Sequence, residues 1–479
     1  MSAFRPERIH EALGPAFADR VRPAEFPQAI LRCRNDRWAA RVGLDDPADA
    51  PWLARFGRFE PLAGSLPEPL ALRYHGHQFR VYNPDLGDGR GFLYAQLRDL
   101  ADGRLLDLGT KGSGQTPWSR TADGRLTLKG GVREILATEM LEALGVYTSK
   151  TFALVETGEA LTRGDEPSPT RSAVLTRLSH SHIRIGTFQR LAALRDHGAL
   201  EALVDHVIAH YWPEANGAAG LYDAITGAAA RLGAEWFAAG FVHGVLNTDN
   251  INITAESFDY GPWRFLDTFN PGFTAAYFDH SGLYAFARQP EALHWNLARL
   301  GECLMPLASR AEIEPVFESF PPRFHAALAT QTLARLGLQA RGDAVSIVHA
   351  FWGAMEATRP PFQQVFHDLL GGGAPDRLRA SPIRPIFETA AWAEVIEMLR
   401  ELPPAPGLPA ALAHPRAALP PETLVIDEVE ALWAAIDRDD DWSPLLRKID
   451  SIREMGRFQA CLGLPRRPGH LPLGADPAA

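Results

Sequence analysis

Between about residues 72 and 178, apolar positions fall in short runs broken by turn residues. RVYNP, LGDGRG and FLYAQL read in order as strand, glycine turn and strand. RLLDLGTK at 104–111 predicts a third strand, and TFALVETG and SAVLTRL two more. Among them, GGVREILATEMLEALGV (130–146) sets Val132, Ile135, Leu136, Met140 and Leu144 on one stripe, which predicts an amphipathic helix. From about 185 helical patterns dominate: LEALVDHVIAHYW, YDAITGAAARLGAEWFAAGF and PEALHWNLARLGECLMPLA. The second of these runs directly into HGVLNTDN.

These patterns predict an α+β chain in which a mainly β part, 71–184, precedes a mainly helical part, 185–400. A nucleotide can sit at such a junction. Residues 1–70, rich in Pro and Arg with short helical patches, are expected to be an N-terminal extension wrapped on the body. In the C-terminal segment, 401–479, the Pro-rich stretch 402–422 is expected to be a linker or extended arm. The residues from 465 on are expected to be disordered. No internal repeat is found.

Composition narrows the function classes. Apolar content of 46% and charged content of 22% fit a soluble globular protein. The length of 479 residues suits two or three cores, or one large bilobal enzyme. With 48 basic against 58 acidic residues the net charge is −10, which argues against a general nucleic-acid or membrane-surface binder. Cys33, Cys303 and Cys461 are far apart and make no CxxC, so neither a disulfide framework nor a structural zinc site is expected. The first residues carry charges where a signal peptide needs an apolar core, and no apolar run approaches the roughly 20 residues of a membrane span. A cytoplasmic protein is the expectation.

The candidate chemistry centres on HGVLNTDNINI (243–253). A kinase catalytic loop reads H-x-D-x-x-x-x-N, with the Asp as base and the Asn on a metal. His243 and Asn250 keep that separation, but Val245 fills the Asp position. Asp259, in DYGP downstream, can join Asn250 around Mg²⁺ that bridges phosphates, because both offer hard oxygens. The competing reading is a common Asn-Asp turn and a chance tripeptide. Lys111 at a strand end and Glu134 early in the next helix match the kinase device that fixes a lysine against phosphates. An exposed lysine and a carboxylate favouring the helix dipole would look the same.

Gly87, Gly89 and Gly91 could bring backbone N–H groups to an anion, although a hairpin turn needs a glycine or two as well. Arg90 within that turn is not explained by hairpin chemistry. KGSGQTPWSRTADGR has a P-loop composition without the P-loop order, so that reading is rejected. Arg177 and Arg184 could clamp phosphate oxygens, or could be solvated surface residues. His75, His77, His180 and His182 lack companion ligands at metal spacing and are expected to be structural.

Taken together, GHQFRVYNPDLGDGRG, KGSGQTPWSR with ADGR, REILATE, HIRIGTFQR, HGVLNTDNINI and DYGPWRFLDTFNP resemble the selenoprotein O family of protein adenylyltransferases with a pseudokinase fold. The carrying segments run from about 76 to 296. The resemblance implies a bilobal kinase-like fold, with a β-rich N-lobe over 71–184 and a helical C-lobe over 185–400. It implies ATP bound in inverted orientation and AMP transferred to protein Ser, Thr or Tyr hydroxyls, with uridylyl transfer from UTP left open. By motif match, Gly87, Gly89, Arg90, Lys111, Asp123, Gly124, Arg177, Arg184 and Asp259 bind ATP. Glu134 supports Lys111, Asn250 and Asp259 hold Mg²⁺ or Mn²⁺, and Asp249 is the proton acceptor. The implied partners are ATP and protein substrates, with no nucleic acid and no membrane, and a monomer is expected. Many family members pair a cysteine after the DYGP segment with one near the C-terminus. Here Ala275 and Ala276 stand in that segment, and Cys461 is present near the end without the family's usual terminal cysteine or selenocysteine motif, so neither disulfide regulation nor selenium chemistry is expected. The alternatives are a kinase using Asp249 as base and a silent ATP-binding scaffold.

Overall fold

The computed structural model describes residues 4–164 and 166–464. The residues from 465, expected to be disordered, lie outside the described residues. The chain is α+β, with strands concentrated before residue 180 and helices after it.

The main sheet has nine strands: β1 (Pro6–Glu7), β2 (Ala18–Arg20), β3 (Ile30–Arg34), β4 (Leu70–Leu72), then β7 (Leu93–Arg98), β8 (Leu105–Lys111), β9 (Leu126–Thr127), β10 (Lys150–Leu161) and β11 (Thr170–Ser179). Its order is β2-β4-β7-β8-β11-β10-β3, with β1 added on β7 and β9 on β11, and every pairing is antiparallel. Both faces are covered. Val174 and Leu178 join a core with Trp38, Trp52 and Phe56, whereas Ala173 and Leu175 join the core of Leu136 and Met140. Two-sided burial explains why FLYAQL and LLDLGTK read as continuous apolar runs, since alternation needs one wet face.

Two sequence expectations change here. The region expected to be a wrapped extension supplies β1, β2 and β3 of the sheet, together with helices α1 (Asp36–Val42) and α2 (Asp49–Phe56), which cover one face. RVYNP does not form a hairpin with FLYAQL. Its strand, β6 (Val81–Asn83), pairs with β5 (Gly76–Gln78) in a separate ribbon. LGDGRG is therefore a connection between two sheets. At Gly87, Gly89 and Gly91 a Cβ would meet the Trp118 ring at 2.4 Å, Trp118 O at 2.8 Å and Thr110 O at 2.0 Å. The glycines are required by close packing and not by turn conformation.

The helix foreseen at 130–146 is α3 (Leu128–Ala143), and the Thr127 side chain caps it by accepting from Gly130 N–H at 3.1 Å. Next come α4 (Ile185–Leu194), α5 (His197–Tyr211), α6 (Gly217–Ala239) and α7 (Gln289–Leu304). Gly240, at φ +70°, ends α6 in the left-handed region and turns the chain into strand β12 (Phe241–Val242), which pairs with β13 (Arg264–Phe265). The HGVLNTDN and DYGP motifs fill the connection between β12 and β13.

The Pro-rich stretch 402–422 is not a free linker. It holds the short helix Leu408–Ala413 and the turn Pro415–Ala418, and Leu408, Ala411 and Ala417 pack on Phe458 and Leu462. Prolines near a helix start remove a donor that has no intrahelical acceptor, so they do not prevent folding. The three cysteines are unpaired. Among the described residues no helix is long and apolar enough to cross a membrane.

Candidate active site

Antiparallel register places Arg177 of β11 opposite Gly109 and Leu175 opposite Lys111. Lys111 and Gly109 are two apart on β8, so Lys111 and Arg177 leave the sheet on the same face, the one that α3 covers. Glu134 meets Lys111 from α3, with Nζ to Oε1 at 2.5 Å. Both are almost fully buried, Lys111 at 4% and Glu134 at 1% exposure, so neither is the solvated surface charge of the competing reading.

The DYGP segment supplies the second carboxylate. Asp259 Oδ1 lies 2.8 Å from Lys111 Nζ and 3.5 Å from Arg177 Nη1. Burial works to raise the Asp259 carboxyl, but Lys111, then Arg177, Arg90 and Arg184, outweigh it and hold the group well below the usual carboxylate range. Its backbone sits at φ +61°, a conformation uncommon for a residue other than glycine and one that persists where surroundings enforce it. His243, the motif's first residue, does that structural work: its Nε2 lies 2.9 Å from the Phe258 carbonyl.

Arg184 closes the other side. Its Nη1 donates to the Asp249 carbonyl at 3.0 Å, and its Nη2 to Asp88 Oδ1 at 3.1 Å. The guanidinium also lies over Tyr74 and Phe258, and the Arg177 guanidinium lies 5.2 Å from the same Phe258 ring, so both arginines pack on one aromatic side chain. Nε and Nη1 of Arg177 and Nε of Arg184 are buried without a hydrogen-bond partner. Buried donors of this kind are rare unless an anion or water satisfies them.

Asp249 stands on the turn Thr248–Asn250. The β5–β6 ribbon holds this turn: His77 N–H donates to Thr248 Oγ1 at 2.7 Å, and Phe79 N–H to Asn247 Oδ1 at 3.0 Å. Thr248 Oγ1 in turn donates to Gln189 of α4 at 2.5 Å. Asp249 Oδ1 is buried and has no hydrogen-bond partner, and a Cβ on Gly76 would lie 2.8 Å from it. Burial pushes the Asp249 carboxyl up to about 6, against the opposing pull of Arg184. Asn250 Nδ2 donates to the Val245 carbonyl at 3.1 Å, which fixes the amide and leaves Oδ1 unengaged among the described residues. Val245 thus orients Asn250 through its backbone while presenting no side-chain base.

The other expected site residues are less central in this geometry. Arg90 is exposed, but its charge reaches Asp259. Asp123 is exposed and pairs with Arg163 at 2.8 Å, and Gly124, at φ +69°, pairs with Gly114 to close the 111–125 loop beyond Lys111. His75, His77 and His182 are engaged by Tyr82, Gln189 and Asp107, in the structural roles expected of them. Sequence reading missed Asp88, which anchors Arg184, and Phe258. An acidic residue between two glycines of a supposed anion loop was the available signal for Asp88.

Among the described residues no group of three or more His, Cys, Asp or Glu side chains is arranged to hold a metal. The oriented Asn250 amide and the ionised Asp259 carboxylate are two hard oxygen donors. Oxygen donors of this kind are the type that Mg²⁺ takes, and two protein ligands are fewer than an all-protein cage needs.

Comparison with known proteins shows the family of the chain. The model of the family "Protein adenylyltransferase SelO" matches residues 3–453. A "Protein nucleotidyltransferase YdiU" of Gloeobacter violaceus is 45% identical over 467 residues, covering 94% of this chain and 95% of the relative. Proteins of the same name from Synechococcus elongatus (44%, covering 94% and 95%) and Rhodopseudomonas palustris BisB5 (40%, covering 91% and 91%) extend the likeness. The chain belongs to the SelO protein adenylyltransferase family, whose relatives compared here carry the name protein nucleotidyltransferase.

Proposed function

We propose that the chain transfers AMP from ATP to Ser, Thr or Tyr hydroxyls of proteins, on a bilobal kinase-like scaffold with the nucleotide between the sheet and the helical part. The observation that carries this reading is a buried charge cluster at Phe258 made of two groups that feel each other's charge. Lys111, Arg177 and Asp259 form one, and Asp249 with Arg184 forms the other.

In the first group Lys111, held by Glu134, and the buried guanidinium of Arg177, whose Nε has no hydrogen-bond partner, bind the phosphates that leave. Asn250 and Asp259 would hold Mg²⁺ or Mn²⁺, which when bound neutralises phosphate charge. In the second, the Asp249 carboxylate accepts the proton of the acceptor hydroxyl. The oxygen then forms its bond to the α-phosphorus, the bond from that phosphorus to the bridging oxygen breaks, and pyrophosphate leaves. A carboxyl raised to about 6 is a stronger base than an ordinary aspartate and remains largely ionised at neutral pH. Val245 at the usual base position argues against ordinary phosphoryl transfer, because no carboxylate stands there.

Asp259→Ala tests this enzyme reading against a silent scaffold. Loss of label incorporation into protein from α-labelled ATP is expected. Undiminished incorporation by the variant would refute the assigned site.

A further inference from the structure

Helix α3, which carries Glu134, is gripped at both ends by the C-terminal helices Ile426–Asp439 and Ser443–Cys461. Near its start, Lys129 Nζ donates to Glu430 at 2.7 Å. Towards its end, Glu139 accepts a bidentate pair from Arg453, at 2.6 and 2.9 Å. Glu139 is 6% exposed, so this pair is drier than a surface ion pair and geometrically stricter. Ile449, Ile452 and Met455 share one core with Leu136 and Met140 of α3.

The positions along α3 are informative. Lys129 and Glu139 each lie five residues from Glu134, about 7.5 Å along the axis and about 140° around it. Both grips therefore act on the side of α3 facing away from Lys111, with Glu134 midway between them. The C-terminal pair is also tied to the sheet. Asp440, at the junction of its two helices, accepts from Arg171 of β11 at 2.7 Å and lies 3.1 Å from Arg32 of β3. β11 carries Arg177. One C-terminal unit thus bonds both to the strand bearing Arg177 and to the helix bearing Glu134, which also pack directly on each other.

We propose that this helix pair is a built-in clamp on α3, and that Arg453 and Glu139 are positioning residues for the nucleotide site, acting through the Glu134–Lys111 pair. The inference rests on the reading of Lys111 and Glu134 as nucleotide-binding groups. Moving α3 by a fraction of an ångström would change where Lys111 presents its ammonium.

The test is the affinity of the full chain for ATP with Mg²⁺, in Arg453→Gln, Glu134→Gln and the double variant. Arg453→Gln is expected to weaken ATP about fivefold, within the range of coupling between contacting residues. It should weaken it no further once Glu134 is already Gln. Should Arg453→Gln not fold, Lys129→Gln and Glu430→Gln, whose pair is partly exposed, carry the same test with the same non-additivity expected. Unchanged ATP affinity with a lowered unfolding midpoint, or additive effects of the two substitutions, would overturn the clamp. Unchanged affinity in Glu134→Gln itself would overturn both the clamp and the nucleotide reading beneath it.

Discussion

Replacing Asp249 by Asn should make the protein more stable and inactive at once. The carboxyl is 7% exposed, its Oδ1 has no hydrogen-bond partner, and burial raises it from 3.8 to about 6. A raised acid favours its neutral form in the folded protein, so its contribution is fully present below about pH 4 and lost as pH climbs through about 6. Two pKa units correspond to ~3 kcal/mol of destabilisation at neutral pH. Relaxation around the charge brings the expected gain from Asn to about 1–3 kcal/mol. The anchors of this turn survive the change, because Arg184 donates to the Asp249 backbone carbonyl and the ribbon holds Asn247 and Thr248. The assay is denaturant unfolding of metal-free wild type and Asp249→Asn across the pH range. The difference should open between about pH 4 and pH 6 and stay level above that. Transfer should be lost at every pH. A destabilised variant, or a stability gain independent of pH, would refute the reasoning.

Other consequences follow from separate parts of the molecule. Arg177→Gln should weaken ATP binding by about tenfold or more, since it removes charge-assisted donors from the phosphate-binding group, and titration with ATP reads this directly. Gly91→Ala should destabilise more than Gly87→Ala, measured by thermal unfolding. The new Cβ at 91 meets backbone, Thr110 O at 2.0 Å, whereas the one at 87 meets side-chain atoms of Trp118, the nearest at 2.4 Å. Glu256 accepts from His180 N–H at 2.8 Å, and burial raises its carboxyl to about 7 despite Lys150. Its stabilising neutral form is lost as pH rises through about 7, so Glu256→Gln should gain stability at about pH 8 and little at about pH 5.

Much of the fold could be read from single residues. The stripe from Val132 to Leu144 marked α3, and the apolar runs marked β7, β8, β10 and β11. What escaped was pairing at a distance. β1 and β2 have two and three residues, too short for any period to register, and exist only because β7 and β4 offer them edges. The same limit hid the β5–β6 ribbon, whose role is to hold the Asn247–Asp249 turn. In the site, the order of Lys111, Glu134, Asn250 and Asp259 was visible, and the structure brings Lys111, Glu134 and Asp259 together. Asp88 showed in the sequence only as an acid between two glycines, because its partner, Arg184, stands nearly a hundred residues on. The C-terminal helices looked peripheral for a similar reason: Arg453 has meaning only against Glu139.

The central claim is which phosphorus is attacked, and labelled ATP decides it. With an acceptor protein and Mg²⁺, label at the α-position should appear on protein while label at the γ-position is released with pyrophosphate. Label on protein from the γ-position and none from the α-position would contradict the account and make Asp249 the base of a kinase.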